Sequence, residues 1–445
     1  MVQGVEVMSH WTGLDVYLPD GRRLGVVHDA VIDAESLHCT HLFVRGTPEV
    51  LVEGSLPLAV PWRWIRAIDV HVLGTASARP TPDRAVSGSL VKGPDGIAVI
   101  DAGEGFQTRY ARQRRRLKKH ASGETLKPSS VNVLAFTHGH LDHTWGALPW
   151  LQSMDLERRQ QPLLVLGPTS AAALDAILED TPLPDAVPPA DLARQWLAWF
   201  ALGGNGLTFP IRWVLGDVNA DRWVELDPQT GGAVPLEGMP QPEGWTNSTL
   251  MPVATAHTVP SCGWMVQQHA TAGKFDRARA DDLGLTTKER AQLARGENIA
   301  RDNGELLEAV WFRGGKRAPV SVLVSGDTAS RPTAWDDDVA PTLLIHESTF
   351  LNEQQDKADQ HQHSTAAGAV ASARAVGASC LALTHYSNRI KSSKTAKDEA
   401  SDVADGLPVV ALNDNDRLVV DDLGSVHHLV WSGDGWSSLN IKPNR

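Results

Sequence analysis

The chain is 445 residues long, enough for two or three domains, and its 42% hydrophobic and 21% charged residues describe an ordinary globular protein with a sizeable core. A formal net charge of -12 excludes a surface that attracts nucleic acid everywhere, so any phosphate contact must be local. Three cysteines, Cys39, Cys262 and Cys380, are too scattered for a disulfide framework or a C-x-x-C zinc seat, which leaves histidines and carboxylates as the available metal ligands.

The first residues, Met-Val-Gln-Gly-Val-Glu, have neither the basic start nor the apolar stretch of a signal peptide, and no apolar run reaches about 18 residues. The expected location is therefore cytoplasmic, with no membrane partner. Residues 1–68 read as short strands with turn punctuation: Leu14 to Leu18, the turn Pro19-Asp20-Gly21-Arg22, Leu24 to Val27, Ala30 to Asp33, His41 to Val44 and a closing Leu58 to Ile65. This all-β pattern resembles a PRC-barrel domain, which implies a small barrel serving as an accessory interaction module.

A second unit, residues 69–445, opens on the apolar strand around Ile68–Leu73 and alternates buried strands with helical stretches. The strands are expected at Ile97–Ile100, Val131–Phe136, Leu163–Leu166, Val320–Val324, Thr342–Ile345 and Leu381–Thr384, a pattern of layered α/β structure. Just after an acidic turn, Arg109, Arg112, Arg114, Arg115, Arg116, Lys118 and Lys119 crowd into one short stretch, read either as a solvated helix face or as a phosphate contact. Residues 176–250 are rich in Pro and Gly and read as an interruption, with Trp196, Trp199 and Phe200 of an amphipathic patch expected to pack in the core. Residues 271–316 are strongly charged and read as an exposed arm.

The sharpest signal is Thr137-His138-Gly139-His140-Leu141-Asp142-His143, directly after an apolar strand. Four potential ligands so close together cannot share one face of a strand or a helix. They fit a loop at a strand's C-terminal end, where side chains can converge, and imidazole with carboxylate suits zinc-like ions. This H-x-H-x-D-H pattern is the hallmark of the metallo-β-lactamase superfamily, which the chain resembles. The resemblance implies an αββα sandwich with two divalent metal ions, zinc or else manganese.

Further ligands follow in the order that the superfamily leads one to expect: His257 in Ala256–Gly263, Asp327 in Ser325–Thr328 and His385 in Leu383–Ser387. By that resemblance His138, His140 and His257 hold one ion, Asp142, His143 and His385 the other, and Asp327 bridges them. Leu73–Pro80, Asp101–Gln107, Pro162–Pro168, Ile345–Phe350 and His363-Ser364-Thr365 look like ribonuclease Z in particular. That likeness implies an endoribonuclease acting on precursor tRNA or another RNA 3′ end, working as a homodimer. A phosphodiesterase acting on a small or cyclic nucleotide is the alternative.

In the mapped roles, Asp142 accepts a proton from the attacking hydroxide's parent water. His363, outside the ligand set, donates a proton to the leaving oxygen, and Glu347 orients it. His346 and Thr328 are expected to support the site rather than act in it. The family loop Pro-x-Lys-x-Arg-Asn becomes Pro80-Thr-Pro-Asp-Arg84-Ala85, which keeps Arg84 but loses the lysine and asparagine, and the arm lacks the family's Gly-Pro pair. Arg84, Arg389 and Lys391 are the expected phosphate contacts.

Overall fold

In the computed structural model the described residues are 15–17, 23–32, 39–49, 53–61, 67–120, 126–270, 275–301, 304, 306–312, 318–332, 335, 339–421, 424–439 and 441. The turn Pro19–Arg22 and the Trp62–Ile65 end of the closing strand lie outside them.

Strands Asp15–Tyr17, Arg23–Ile32, Cys39–Arg45 and Leu58–Pro61 form a four-stranded antiparallel sheet in chain order. The next strand, Ala67–Gly74, pairs elsewhere. It lies within an eleven-stranded sheet whose order is Ala233–Leu236, Arg222–Leu226, Ile211–Asp217, Leu163–Pro168, Val131–Ala135, Ile97–Ile100, Gly88–Lys92, Ala67–Gly74, Arg417–Asp421, Val426–Trp431 and Trp436–Leu439. A six-stranded sheet runs Ser248–Ala254, Cys262–Gln268, Val320–Val324, Leu343–Glu347, Leu381–Thr384 and Val409–Ala411.

Period-two alternation along these strands builds the layers. Val133 and Ala135 face one core with Val322, Ile345 and Ala382 of the other sheet, so the two sheets pack face to face. The intervening Leu134, with Val165, turns to the opposite side. There it meets helices Phe106–His120, Ala147–Leu156, Ala171–Leu178 and Leu192–Ala201 through Tyr110, Trp150, Leu174 and Trp196. Leu323, Leu344 and Leu383 likewise face helices Ala366–Ala375 and Ser393–Val403. The result is the four-layered αββα sandwich.

One expectation needs amendment. Residues 176–250 do not interrupt the fold, because Ile211–Asp217, Arg222–Leu226 and Ala233–Leu236 extend the large sheet. Pro228, Gly231 and Gly232 sit in the turn between the last two of these strands, while Gly216 and Pro235 lie inside strands. Trp196, Trp199 and Phe200 do pack in the core, around Trp213. Within 271–316, helices Arg277–Asp282 and Thr287–Arg295 and a short hairpin enclose a separate apolar cluster of Ala280, Leu285, Leu293, Leu307, Ala309 and Phe312. This insertion leaves strand Cys262–Gln268 at Gln268 and re-enters at Val320, which pair with each other. The opposite ends of those two strands carry the site loops. Among the described residues no helix is long and apolar enough to cross a membrane.

Candidate metal centre

Every expected ligand leaves the C-terminal end of a strand or a loop beside one. His138 follows strand Val131–Ala135, and His140 precedes the single helical turn Leu141–Thr144 that carries Asp142 and His143. Asp327 follows Val320–Val324, His385 follows Leu381–Thr384, and His257 lies between Ser248–Ala254 and Cys262–Gln268. Parallel strands deliver their C-terminal loops to one rim, which is where α/β sheets place their sites. Two small residues let these loops meet. A Cβ on Gly103 would come within 2.0 Å of the Asp142 carbonyl, and Gly326 sits at φ 62° with Thr137 directly behind it.

The donors gather into two groups. In the first, His138 Nε2 lies 2.9 Å and His257 Nε2 3.2 Å from His140 Nδ1, with Asp327 Oδ2 at 3.7 Å from His138 and 4.0 Å from His257. In the second, His143 Nε2 is 3.2 Å from His385 Nε2, and Asp142 Oδ2 is 3.6 Å from His143 and 3.5 Å from His385. Asp327 Oδ1 faces this second group, 3.3 Å from His143 and 3.2 Å from His385. One carboxylate thus turns one oxygen to each group, and the donors of each group lie within 4.8 Å of one another.

This donor set fits divalent ions. A tetrahedral ion about 2.0–2.1 Å from each imidazole nitrogen spaces its ligands roughly 3.3 Å apart, the separation seen here. Asp327 Oδ1 is buried without a hydrogen-bond donor among the described residues, a costly state for a carboxylate oxygen unless a cation stands before it. Burial, together with the neighbouring imidazoles, pushes His138 well below the usual histidine range, His140 down to about 4, and His257 downward as well. Neutral imidazoles with free lone pairs are the ligand form. Burial opposes charge on His143 too, but the carboxylates of Asp327, Asp101 and Asp142 override it and hold that ring's pKa well above normal. Asp142 and Asp327 are both held below the carboxylate range: burial raises them, and the adjacent histidines prevail.

Second partners orient the ligands. Asp101 Oδ2 lies 2.7 Å from His143 Nδ1, while its Oδ1 accepts the Thr137 N–H at 2.7 Å. The Thr349 hydroxyl donates to Glu347 at 2.5 Å and stands 3.0 Å from His385 Nδ1, so it can accept that ring's proton. Asp101 and His385 both adopt left-handed backbone, with φ 60° and 59°, conformations that non-glycine residues take up at a cost. In the sequence Asp101 stands only within the Asp101–Gln107 likeness. Its signal was an acidic residue at the end of a buried strand, which becomes meaningful only once His143 is seen beside it. Thr349 stands in the sequence only within the Ile345–Phe350 likeness, with no role of its own.

The ligands open onto a cleft of about 490 Å³ lined by Arg79, His140, His257, His361, His363 and Arg389, among others. His363 Nδ1 is 2.7 Å from Glu347 Oε1, a carboxylate also held by the Thr328 N–H at 2.9 Å. Burial works against charge on His363, yet Glu347 lifts it to about 9. Thr365, two positions on, caps helix Ala366–Ala375 through the Gly368 N–H, so capping falls to Thr365 while His363 lines the cleft. Of the three expected phosphate contacts, Arg389 lines the cleft. Arg84 instead donates to the Ile390 carbonyl at 2.7 Å and covers the Tyr386 ring at 4.8 Å, and Lys391 is exposed outside the lining. Arg79, which the sequence reading passed over, does line it.

A model of the metallo-β-lactamase superfamily matches residues 81–156, the segment containing the H-x-H-x-D-H loop. A ribonuclease Z of Myxococcus xanthus is 28% identical over 318 residues, covering 71% of this chain and 86% of that protein. A ribonuclease Z of Synechococcus sp. is 30% identical over 326 residues, 72% of this chain and 86% of that one. The chain belongs to the ribonuclease Z family. Human tRNase Z, short form, superposes with a TM-score of 0.42 at 20% identity, over 78% of this chain and 98% of that chain. As a ribonuclease Z, this is a hydrolase of the metallo-β-lactamase fold, whose superfamily implies divalent metal binding.

Proposed function

We propose that this ribonuclease Z-family chain is an endoribonuclease that removes the 3′ trailer of precursor tRNA. The observation that carries the reading is Asp327, which offers one oxygen to each of two histidine-rich donor groups beside a cleft that also holds the His363–Glu347 pair. His138, His140 and His257 would hold one ion, and Asp142, His143 and His385 the other. Zinc is the proposed species, with manganese the alternative, and such ions supply charge neutralisation at phosphoryl oxygens and a more acidic water.

The chain's own groups do the rest. Asp142, ionised and anchored through its Oδ2 by the Ala78 N–H at 2.7 Å, takes a proton from the attacking water. His363, protonated below about 9 and fixed at Nδ1 by Glu347, keeps Nε2 to protonate the departing ribose oxygen. Arg389 and Arg79 meet the flanking phosphates, and Lys391 stands farther out. Arg84 holds the loop that presents Arg389. The four-stranded unit within residues 1–68 is proposed as an accessory barrel, residues 69–445 as the catalytic unit and 271–316 as its arm. The working state is a cytoplasmic homodimer.

The test is cleavage of a 3′-extended tRNA by Asp142→Ala and His143→Ala variants. Both are expected to lose cleavage with unchanged circular dichroism. A folded variant that cuts at the wild-type rate overturns the two-ion reading. Wild-type protein that hydrolyses a cyclic nucleotide but leaves the tRNA intact transfers the assignment to a small-molecule phosphodiesterase.

A further inference from the structure

The charge of this molecule is unevenly placed. Over a chain of net charge -12, the helix Phe106–His120 carries seven cations and no carboxylate. Phe106, Tyr110, Gln113 and Leu117 bury its inner face, and Arg112, Arg114, Arg115, Lys118 and Lys119 are all exposed. None of these five makes an ion pair with a described residue. Pairs such as Arg112 with Arg115 and Arg115 with Lys119 stand three and four positions apart, where like charges repel and destabilise a helix. A merely solvated face would carry alternating signs.

Beside this face stands an aromatic wall. Arg116, the half-buried member of the series, donates to the Asn415 side chain and lies 4.9 Å over the Trp431 ring. Trp431 lies 4.7 Å from Trp436 with the rings tilted at 59°, and meets the His120 ring edge-on at 5.3 Å. Both tryptophans, on the last two strands of the large sheet, are only half-buried. Unpaired cations along a stripe, flanked by partly exposed indole rings, are what a phosphodiester chain with stackable bases recognises.

We propose that the outer face of helix Phe106–His120, with Trp431 and Trp436 at its side, is a docking surface for RNA away from the bond that is cut. This rests on the RNA-cleaving reading and extends it. The helix begins at the Asp101–Gly105 turn, whose Gly103 packs on Asp142, so the helix starts beside the metal centre and its exposed cations stand along its later turns. Charge complementarity selects the occupant: on a chain of net charge -12, this helix carries seven cations and no carboxylate, which suits a polyanion.

The test compares the full chain with its triple variant Arg112→Glu, Arg115→Glu, Lys119→Glu. Fluorescence anisotropy with a labelled 3′-extended tRNA at several salt concentrations gives Kd, and bis(p-nitrophenyl) phosphate hydrolysis reports the metal centre and the fold. The variant is expected to bind the RNA at least about tenfold more weakly, with a salt slope shallower by about 2–3, one phosphate contact per cation. Its small-diester rate is expected to stay within about twofold of wild type. An unchanged Kd and slope overturn the surface. So does a wild type that sediments with phosphatidylserine vesicles through these residues while its RNA affinity ignores them. Wild type that binds RNA through this face yet cuts none leaves the surface standing and overturns the assigned activity instead.

Discussion

At the scale of single residues, the site works through partners as much as through ligands. Asp101 is not itself a ligand: it faces His143 Nδ1 at 2.7 Å and accepts the Thr137 hydroxyl, which stands 3.1 Å from His138 Nδ1. Carboxylates in that position fix the ring and raise its basicity, and losing one typically costs about 10–100-fold in metal affinity. Asp101→Asn is therefore expected to weaken one of two binding steps in a zinc titration by that order, and two unaltered steps would show that Asp101 is not an orienting group. Two arginines in the same loops should behave differently. Arg84→Ala removes a carbonyl contact and a ring contact at 4.8 Å, so it should lower Tm by a few degrees, while Arg389→Ala should raise KM for RNA and leave Tm alone. The two would be misassigned if Arg84→Ala affected KM only.

At the scale of elements, strand Ala67–Gly74 joins the C-terminal strand Arg417–Asp421 by backbone pairing and by a buried charge cluster. Asp69 accepts from Arg417 Nη2 at 2.6 Å and lies 3.1 Å from His71 Nε2, and Gln113 of helix Phe106–His120 meets the other nitrogen of His71 at 3.2 Å. Burial alone would raise the Asp69 carboxyl, but Arg417 and His71 hold it far below its ordinary value of 3.8. A depressed carboxylate contributes stability that is whole above the unfolded value and drains away as pH falls below it. Asp69→Asn is thus expected to lower Tm clearly at pH 7, with the gap to wild type narrowing below about pH 4. A gap independent of pH would mean that packing, not charge, accounts for the loss. The insertion within 271–316 obeys a different rule. Its own small core leaves Leu283, Leu306, Val310 and Trp311 exposed, so charge density alone described its surface incompletely.

At the scale of the whole molecule, the sandwich is one layered core. The four-stranded N-terminal sheet shares no strand with it, since Leu58–Pro61 ends the first sheet and Ala67–Gly74 enters the second. Deleting residues 1–66 is expected to leave bis(p-nitrophenyl) phosphate hydrolysis within a few-fold of the full chain. A soluble, folded truncation that has lost this activity would make the N-terminal unit part of the site.

The local chemistry of this protein was legible in its sequence. The H-x-H-x-D-H loop announces itself, because metal chemistry demands specific side chains at strand ends and strands show as apolar runs, whereas His257, Asp327, His385, His363 and Glu347 became legible only through the family resemblance. Seven of the seventeen described strands of the two central sheets were legible as such runs. The strands between 211 and 236 were not, since Gly216 and Pro235 inside them and Pro228, Gly231 and Gly232 between them read as strand breakers. Only tertiary structure decided which aspartate stands behind His143 and which of Arg79, Arg84 and Arg389 faces the cleft. Those outcomes depend on loops from distant strands meeting at one rim. No spacing along a single chain encodes a distance across it.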